Sequence, residues 1–435
     1  MNVHANQVPT ILQKYILADG MRPIFDTDKS HGSYLHDASS GKEYLDLFSF
    51  FATQPIAYNH PKVNNISFRE KMARIALFRP TLSDIYVQEY ADFVETFARV
   101  AGKDYFKHYF FIEGGAMGVE NALKVAMDWK VQKNLKKGKG EKGQQIIHFK
   151  NAFHGRSGYT VSMTNTFQAK KHQYFAKFEW PRVTPPSLQF PITDQILEKV
   201  IKAEKQTVEE IKQALKDNPD DIAALILEPI QCEGGDNHFR KEFFEQLRTL
   251  ADENEFLFIL DEVQTGIGIT GKMWGFEHYG IVPDLISFGK KVQVAGCAST
   301  GRVDEVPENV FKASGRINST WGGNLVDMVR CQKFLEIMEE EKLVDNAATM
   351  GKYTMEQLQK LSQKNSSITN VRGRGLLIAF DLPDTEKRDA MMKSIFQNGA
   401  IVLSCGDRSI RLRPHLDITA KDIDHAIEIF EKSAV

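Results

Sequence analysis

Between residues 100 and 300 the chain alternates short unbroken apolar runs with longer stretches in which apolar residues recur every three or four positions. The runs are His108–Gly115, Gln145–Phe149, Ile222–Pro229, Phe256–Leu260 and Leu285–Phe288. Runs this short, rich in Phe, Ile and Leu and lacking polar alternation, suit strands covered on both faces of a parallel sheet. Between them Val119, Leu123, Ala126 and Trp129 share one helical face, and Arg240–Asn254 reads as a further helix. Strand–helix alternation begins at about residue 65. Ahead of it, Ile11–Leu17 has the spacing of a short amphipathic helix. Ser33–Phe48 (SYLHDASSGKEYLDLF) reads as a hairpin around a turn-rich DASSG. The aromatic LFSFFATQPIAYNHP follows, with Phe50 and Phe51 as core or pocket residues. Residues 166–221 yield no motif. Beyond the helix Met328–Glu340 the order is strand Leu376–Asp381, helix Lys387–Gln397, strands Ile401–Ser404 and Ser409–Arg413, and helix Ala420–Lys432. Thr419 and Asp422 resemble a capping box for that last helix. This is an α/β chain with a second, compact α+β unit at its end.

Composition narrows the classes. At 435 residues the chain has room for roughly two to three domains. Hydrophobic content of 42% and charged content of 26% are ordinary for a soluble globular protein. A net charge of −2 gives no reason to expect nucleic acid or an anionic membrane as partner. No apolar run approaches the roughly 20 residues of a membrane span, and the N-terminus lacks a signal-peptide core. Cys232, Cys297, Cys331 and Cys405 form no CxxC pair, which fits a reduced cytoplasmic setting and gives no metal site.

The functional groups collect where strands end, which is where α/β sheets bind ligands. Gly114 and Gly115 close the first run and open a helix. Free N–H groups and the positive dipole end converge there to make an anion site, although glycine permits any tight strand–helix turn. Phe153, His154 and Arg156 follow the second run; an aromatic ring and a guanidinium suit a planar anionic ligand, or a structural turn. Glu228 and Glu233 flank the exit of the third. Asp261 ends the fourth and Lys290 follows the fifth. Gly266–Gly271 is a literal GxGxxG, but DEVQT separates it from its strand, Asp261 sits where a pyrophosphate would approach, and GKMWGFEHYG opens no helix. A turn-rich loop is the better reading.

A phosphate cradle, an aromatic plate, a strand-end acid and a lysine are what pyridoxal 5'-phosphate needs. Its aldehyde bonds a lysine amine, and a carboxylate keeps its ring nitrogen protonated. LILEPIQCEGG, FILDEVQTGIGITGKMWGFEHYGIVPDLISFGKK, NAFHGR, STWGGN and RGRGLLIAF together resemble the signature of the class III (ω-amino acid) aminotransferases, spread over roughly residues 40–420. The resemblance implies fold type I: a large domain (65–330) with a mainly parallel seven-stranded sheet. A small domain would be built from both termini (1–64 and 331–435), in a homodimer that shares its active sites.

Carried over residue by residue, the resemblance makes Lys290 the Schiff-base lysine, because it directly follows the Phe-Gly pair. Asp261 would pair with the ring nitrogen, Val263 and Phe153 would sandwich the ring, and Gln264 would bond near the ring hydroxyl. His154 and Glu228 belong to the same cofactor-binding set. Gly115 and Ala116 would hold the phosphate, with Thr320 reaching it from the partner subunit; the family usually has Ser-Gly at this Gly-Gly-Ala, so one hydroxyl bond is lost here. Arg156 would receive the distal carboxylate of either substrate and Arg411 the α-carboxylate of 2-oxoglutarate. Glu233 would be the switch that pairs with Arg411 while L-lysine is bound. Gln264 and Thr320 are also expected to touch substrate. Within the class the segments lean toward the enzymes that transfer the ε-amino group of L-lysine, with those acting on 4-aminobutyrate next. A racemase or aminomutase on the same scaffold would have no need of Glu233 and Arg411 together.

Overall fold

The computed structural model describes residues 3–433. The expected hairpin forms from β1 (Tyr34–His36) and β2 (Glu43–Asp46), paired antiparallel. The main sheet comprises β3 (His108–Ile112), β4 (Gln145–Phe149), β5 (Arg182–Val183), β6 (Ile222–Leu227), β7 (Leu257–Asp261), β8 (Leu285–Phe288) and β9 (Ala295–Ser299). Its order is β3-β9-β8-β7-β6-β4-β5. The five strands from β8 to β5 run parallel, while β9 is antiparallel to both neighbours. Every residue of β6, β7 and β8 is buried, as strands covered on both faces must be. Val119, Leu123, Ala126 and Trp129 of the helix Gly115–Lys136 pack into one of the covering layers.

Towards the C-terminus lie β10 (Thr369–Arg374), β11 (Leu377–Asp381), β12 (Ala400–Ile401), β13 (Leu403–Cys405) and β14 (Ser409–Leu412). Four of these form a sheet in the order β10-β11-β14-β13. The fifth, β12, leaves them and pairs in parallel with β2, setting Ala400 against Leu45 and Ile401 against Asp46. Both ends of the chain therefore share one small sheet. The helix Ala420–Ser433 starts at a reciprocal Thr419–Asp422 capping box, with N–H to oxygen distances of 3.1 and 3.3 Å.

Four elements depart from the sequence pattern, the first three for a physical reason the packing shows. The N-terminal helix is one short piece, Val8–Leu12; Tyr15 and Leu17 beyond it are 84% and 85% exposed, so nothing rewards its extension. Residues Ala295–Ser299 form a strand because small side chains let a helix settle on them. A Cβ at Gly118 would lie 2.6 Å from the Gly296 carbonyl oxygen. The featureless 166–221 region contains a 24-residue helix, Asp194–Asp217. Its buried positions include Glu204 and Thr207, and Glu204 is there because Arg240 Nε donates to it at 2.8 Å; polar residues broke the apolar stripe. A long helix, Leu343–Lys364, also runs beyond Leu325–Glu340, the helix in whose middle the expected 330/331 boundary falls.

Candidate active site

The parallel strands deliver their last residues to one edge, and a cavity of about 610 Å³ opens there. Gly115 and Ala116 come from the end of β3, and Phe153, His154 and Arg156 from the loop after β4. Glu228 and Glu233 follow β6, Asp261 ends β7 with Val263 just beyond it, and Lys290 follows β8; all line the cavity. Gln264 joins them, and Arg411 enters from β14 of the C-terminal sheet. Of the expected site residues, Thr320 alone lies outside. It is exposed on a loop, where its carbonyl and that of Ser319 accept the Ser83 hydroxyl at 3.2 and 2.8 Å.

Asp261 is held from three sides. His154 Nδ1 donates to Oδ2 at 2.7 Å, the Ser287 hydroxyl donates to Oδ1 at 3.0 Å, and the Val263 N–H reaches Oδ1 at 3.1 Å. Ser287 is in place because it pairs with Asp261 across β7 and β8. Burial pushes the His154 imidazole towards the neutral form, but the hydrogen bond and charge of Asp261 outweigh it and raise its pKa. Behind them Glu228 accepts the Phe153 and Cys232 N–H groups at 2.9 and 3.1 Å. Burial, helped by the Asp261 charge, pushes its carboxyl up to about 7.

Two adjacent lysines take different roles. Lys290 lines the cavity, whereas Lys291 is buried beneath it. Lys291 Nζ donates to the carbonyls of Gln264 at 3.0 Å and Ala52 at 3.3 Å. Burial and the Arg411 charge lower the Lys290 amine to about 8; burial and the Lys290 charge lower Lys291 to about 7. Ser49, Phe50, Phe51 and Ala52 form a left-handed turn, with φ of 39°, 52°, 58° and 63°. Such a turn costs roughly 1–2 kcal/mol per residue and needs outside support. Asp46 accepts the Phe48 and Ser49 N–H groups at 2.8 Å each, and Lys290 Nζ donates to the Phe51 carbonyl at 3.0 Å. The turn sets both phenylalanine rings on the cavity rim; Phe51 is exposed there, while Phe50 also packs edge-on against Phe25 and against Phe48 and Tyr58 of a small core cluster.

On the far side Glu233 bridges two cations. Its Oε2 accepts Arg411 Nη2 at 2.6 Å and its Oε1 accepts Lys171 Nζ. Burial alone would raise the Glu233 carboxyl; the Arg411 charge and the Lys171 hydrogen bond outweigh it and hold the pKa below its ordinary value. Gln264 Oε1 accepts Arg413 Nε at 3.0 Å and stands 3.4 Å from Arg411 Nη1, so it faces this cluster. Arg156 and Lys171 lie 6.0 and 5.8 Å from the Phe153 ring centroid. Sequence reasoning missed Lys171: one lysine in the polar AKKHQ stretch carries no pattern to single it out.

These groups fit pyridoxal 5'-phosphate. The first turn of Gly115–Lys136 carries no side-chain cap and no acid, leaving its N–H groups to an anion. A Cβ at Gly115 would come within 2.9 Å of Val263 Cγ1, so the cradle excludes any larger residue. Lys290 supplies an amine of lowered pKa, and Asp261 a carboxylate whose charge His154 balances.

The family model for class III aminotransferases matches residues 16–434. An L-lysine-epsilon aminotransferase from Streptomyces clavuligerus is 45% identical, over 99% of this chain and 95% of the relative. A 4-aminobutyrate aminotransferase from Kluyveromyces lactis is 33% identical, over 94% and 90%. The solved structure of lysine aminotransferase from M. tuberculosis superposes with a TM-score of 0.97 at 43% identity, covering 100% of this chain and 99% of that one. The chain belongs to the class III aminotransferases, and its cofactor is pyridoxal 5'-phosphate.

Proposed function

We infer that the chain is an L-lysine 6-aminotransferase, moving the ε-amino group of L-lysine to 2-oxoglutarate to give 2-aminoadipate 6-semialdehyde and L-glutamate. The observation that carries this is the 2.6 Å contact between Glu233 and the buried guanidinium of Arg411, in a chain 45% identical to an enzyme named for lysine. L-Lysine lays an aliphatic chain beside Arg411, and a buried guanidinium without a counter-charge is costly. Glu233 neutralises it. 2-Oxoglutarate brings its own α-carboxylate to Arg411, and Glu233 then turns aside. Arg156, exposed at the cavity mouth, takes the distal carboxylate of either substrate.

When bound, the cofactor withdraws electrons from the substrate carbon that bears the nitrogen. Gly115 and Ala116 would hold its phosphate, Phe153 and Val263 its ring faces, Asp261 its ring nitrogen, and Lys290 its aldehyde carbon. Gln264 would lie near the ring hydroxyl, and His154 and Glu228 would keep Asp261 and the Phe153 loop in place. Lys290 is the base placed to take the proton from Cε of L-lysine. A neutral amine is required for that, and lowering the pKa from 10.5 to about 8 brings the neutral form to dominance above about pH 8 rather than above pH 10.

Thr320 completes the site from a second copy of the chain. Its exposed loop adjoins Leu77, Phe78, Ile85 and Tyr86, which are 67–76% exposed and give an apolar face for a partner. Residues 1–64 and 331–435 are read as one small domain against 65–330, joined by the β2–β12 pairing. A cytoplasmic setting accords with four cysteines buried as free thiols. The test incubates holoenzyme with L-lysine and 2-oxoglutarate and traps the cyclised semialdehyde with an aromatic aminoaldehyde. An adduct forms if the reading is right; no adduct, with turnover on 4-aminobutyrate, overturns it.

A further inference from the structure

We propose that Lys171 is the second counter-ion of Glu233, holding that carboxylate alone whenever a dicarboxylic substrate occupies Arg411. The proposal rests on reading Glu233 as a switch and explains where its charge goes when it releases Arg411.

The three side chains make one chain of charges, Lys171 to Glu233 Oε1 and Glu233 Oε2 to Arg411. They differ in setting. Arg411 is 2% exposed on a strand of the C-terminal sheet, while Lys171 and Glu233 are 16% and 17% exposed at the cavity. Lys171 ends the short helical turn Ala169–Lys171, outside every sheet. A carboxylate this enclosed is costly to strip of its counter-charge. If Arg411 were its one partner, each turnover would leave it bare. With Lys171 already bonded, Glu233 pivots about a contact that persists through both half-reactions. Lys171 and Arg156 flank the same Phe153 ring, but Lys171 is committed to Glu233, and Arg156 remains for the substrate's distal carboxylate.

Lys171 is thus a positioning residue whose loss penalises dicarboxylates selectively. The probe is glutarate, which has both carboxylates and no reactive keto group, titrated calorimetrically into holoenzyme. Lys171→Met is expected to weaken glutarate about tenfold, the usual scale for one partner of an enclosed charge network. The single-turnover rate with L-lysine should fall less than threefold. Lys171→Arg should restore glutarate binding, since it keeps the charge. In a Glu233→Ala background Lys171→Met should change glutarate affinity less than twofold, because the carboxylate it serves is gone. An equal loss in both backgrounds would mean that Lys171 touches the dicarboxylate directly, and no loss in the unmodified background that Glu233 does not need it; either overturns the proposal. The switch reading fails separately, if Glu233→Ala by itself leaves both glutarate binding and the L-lysine rate unchanged.

Discussion

The cavity has two buried charge clusters that differ in how they are fastened. Asp261 is fixed by His154 of the loop after β4, Ser287 of β8 and the Val263 N–H of the turn after β7, within 3.1 Å. Glu233 is suspended between Arg411 of the C-terminal sheet and Lys171 of a short turn, and both partners are side chains. Three donors that leave one geometry suit a task that never changes, such as holding one cofactor. Two partners on separate elements suit a task with two answers, such as admitting two substrates to one site.

Breaking the fixed half gives the largest effect. Lys290→Ala should abolish turnover and purify without a borohydride-reducible bond to its cofactor, because Lys291 is spent on the carbonyls of Ala52 and Gln264. Recovery of that bond in the variant would shift the role to another lysine. Glu233→Ala breaks the adjustable half and should split the half-reactions. The L-lysine step should slow about 100-fold, near the ~3 kcal/mol low end for leaving one partner of a buried pair uncompensated, with L-glutamate turnover little changed. Rapid-mixing absorbance resolves the two, and equal losses would count against the switch. Asp261→Asn removes the counter-charge of buried His154. Thermal unfolding of the cofactor-free protein should report a loss of about 2–3 kcal/mol, the scale of a broken charged hydrogen bond, and the His154 pKa should fall, because burial is then no longer outweighed by Asp261. The mildest probe is pH. The Lys290 amine is lowered to about 8, so its protonated, unreactive form dominates below that value and its neutral form above. Capture of added pyridoxal 5'-phosphate by the cofactor-free protein should therefore rise about fivefold from pH 7 to pH 8 and then level off.

The same contrast explains what could be read from the sequence. The fixed cluster lies at the ends of unbroken apolar strands, and period and position alone delivered Asp261, Lys290 and the Gly114–Gly115 turn to one edge. The Arg411–Glu233 pair was legible through resemblance alone, since Arg411 lies on the C-terminal sheet and Glu233 on a turn after β6, 178 residues apart. Lys171 was invisible, as was the left-handed turn at Ser49–Ala52, whose SFFA sequence signals nothing of the sort. Its conformation is imposed from outside, by Asp46, Lys290 and Lys291. The GxGxxG was rightly set aside: a Cβ at Gly266 would press on the Trp274 ring at 2.6 Å and one at Gly271 on Ala348 at 2.9 Å. Those glycines serve packing, not a nucleotide.

The pairing of β2 with β12 also sets an order of events during synthesis. Leu45 and Asp46 leave the ribosome some 350 residues before Ala400 and Ile401, which complete their sheet. Arg411 emerges later still. A nascent chain can thus assemble the cofactor edge of the main sheet, with Glu233 and Lys171 already made, while Arg411 is still untranslated, and premature release anywhere before residue 411 leaves the Glu233 carboxylate without its buried guanidinium.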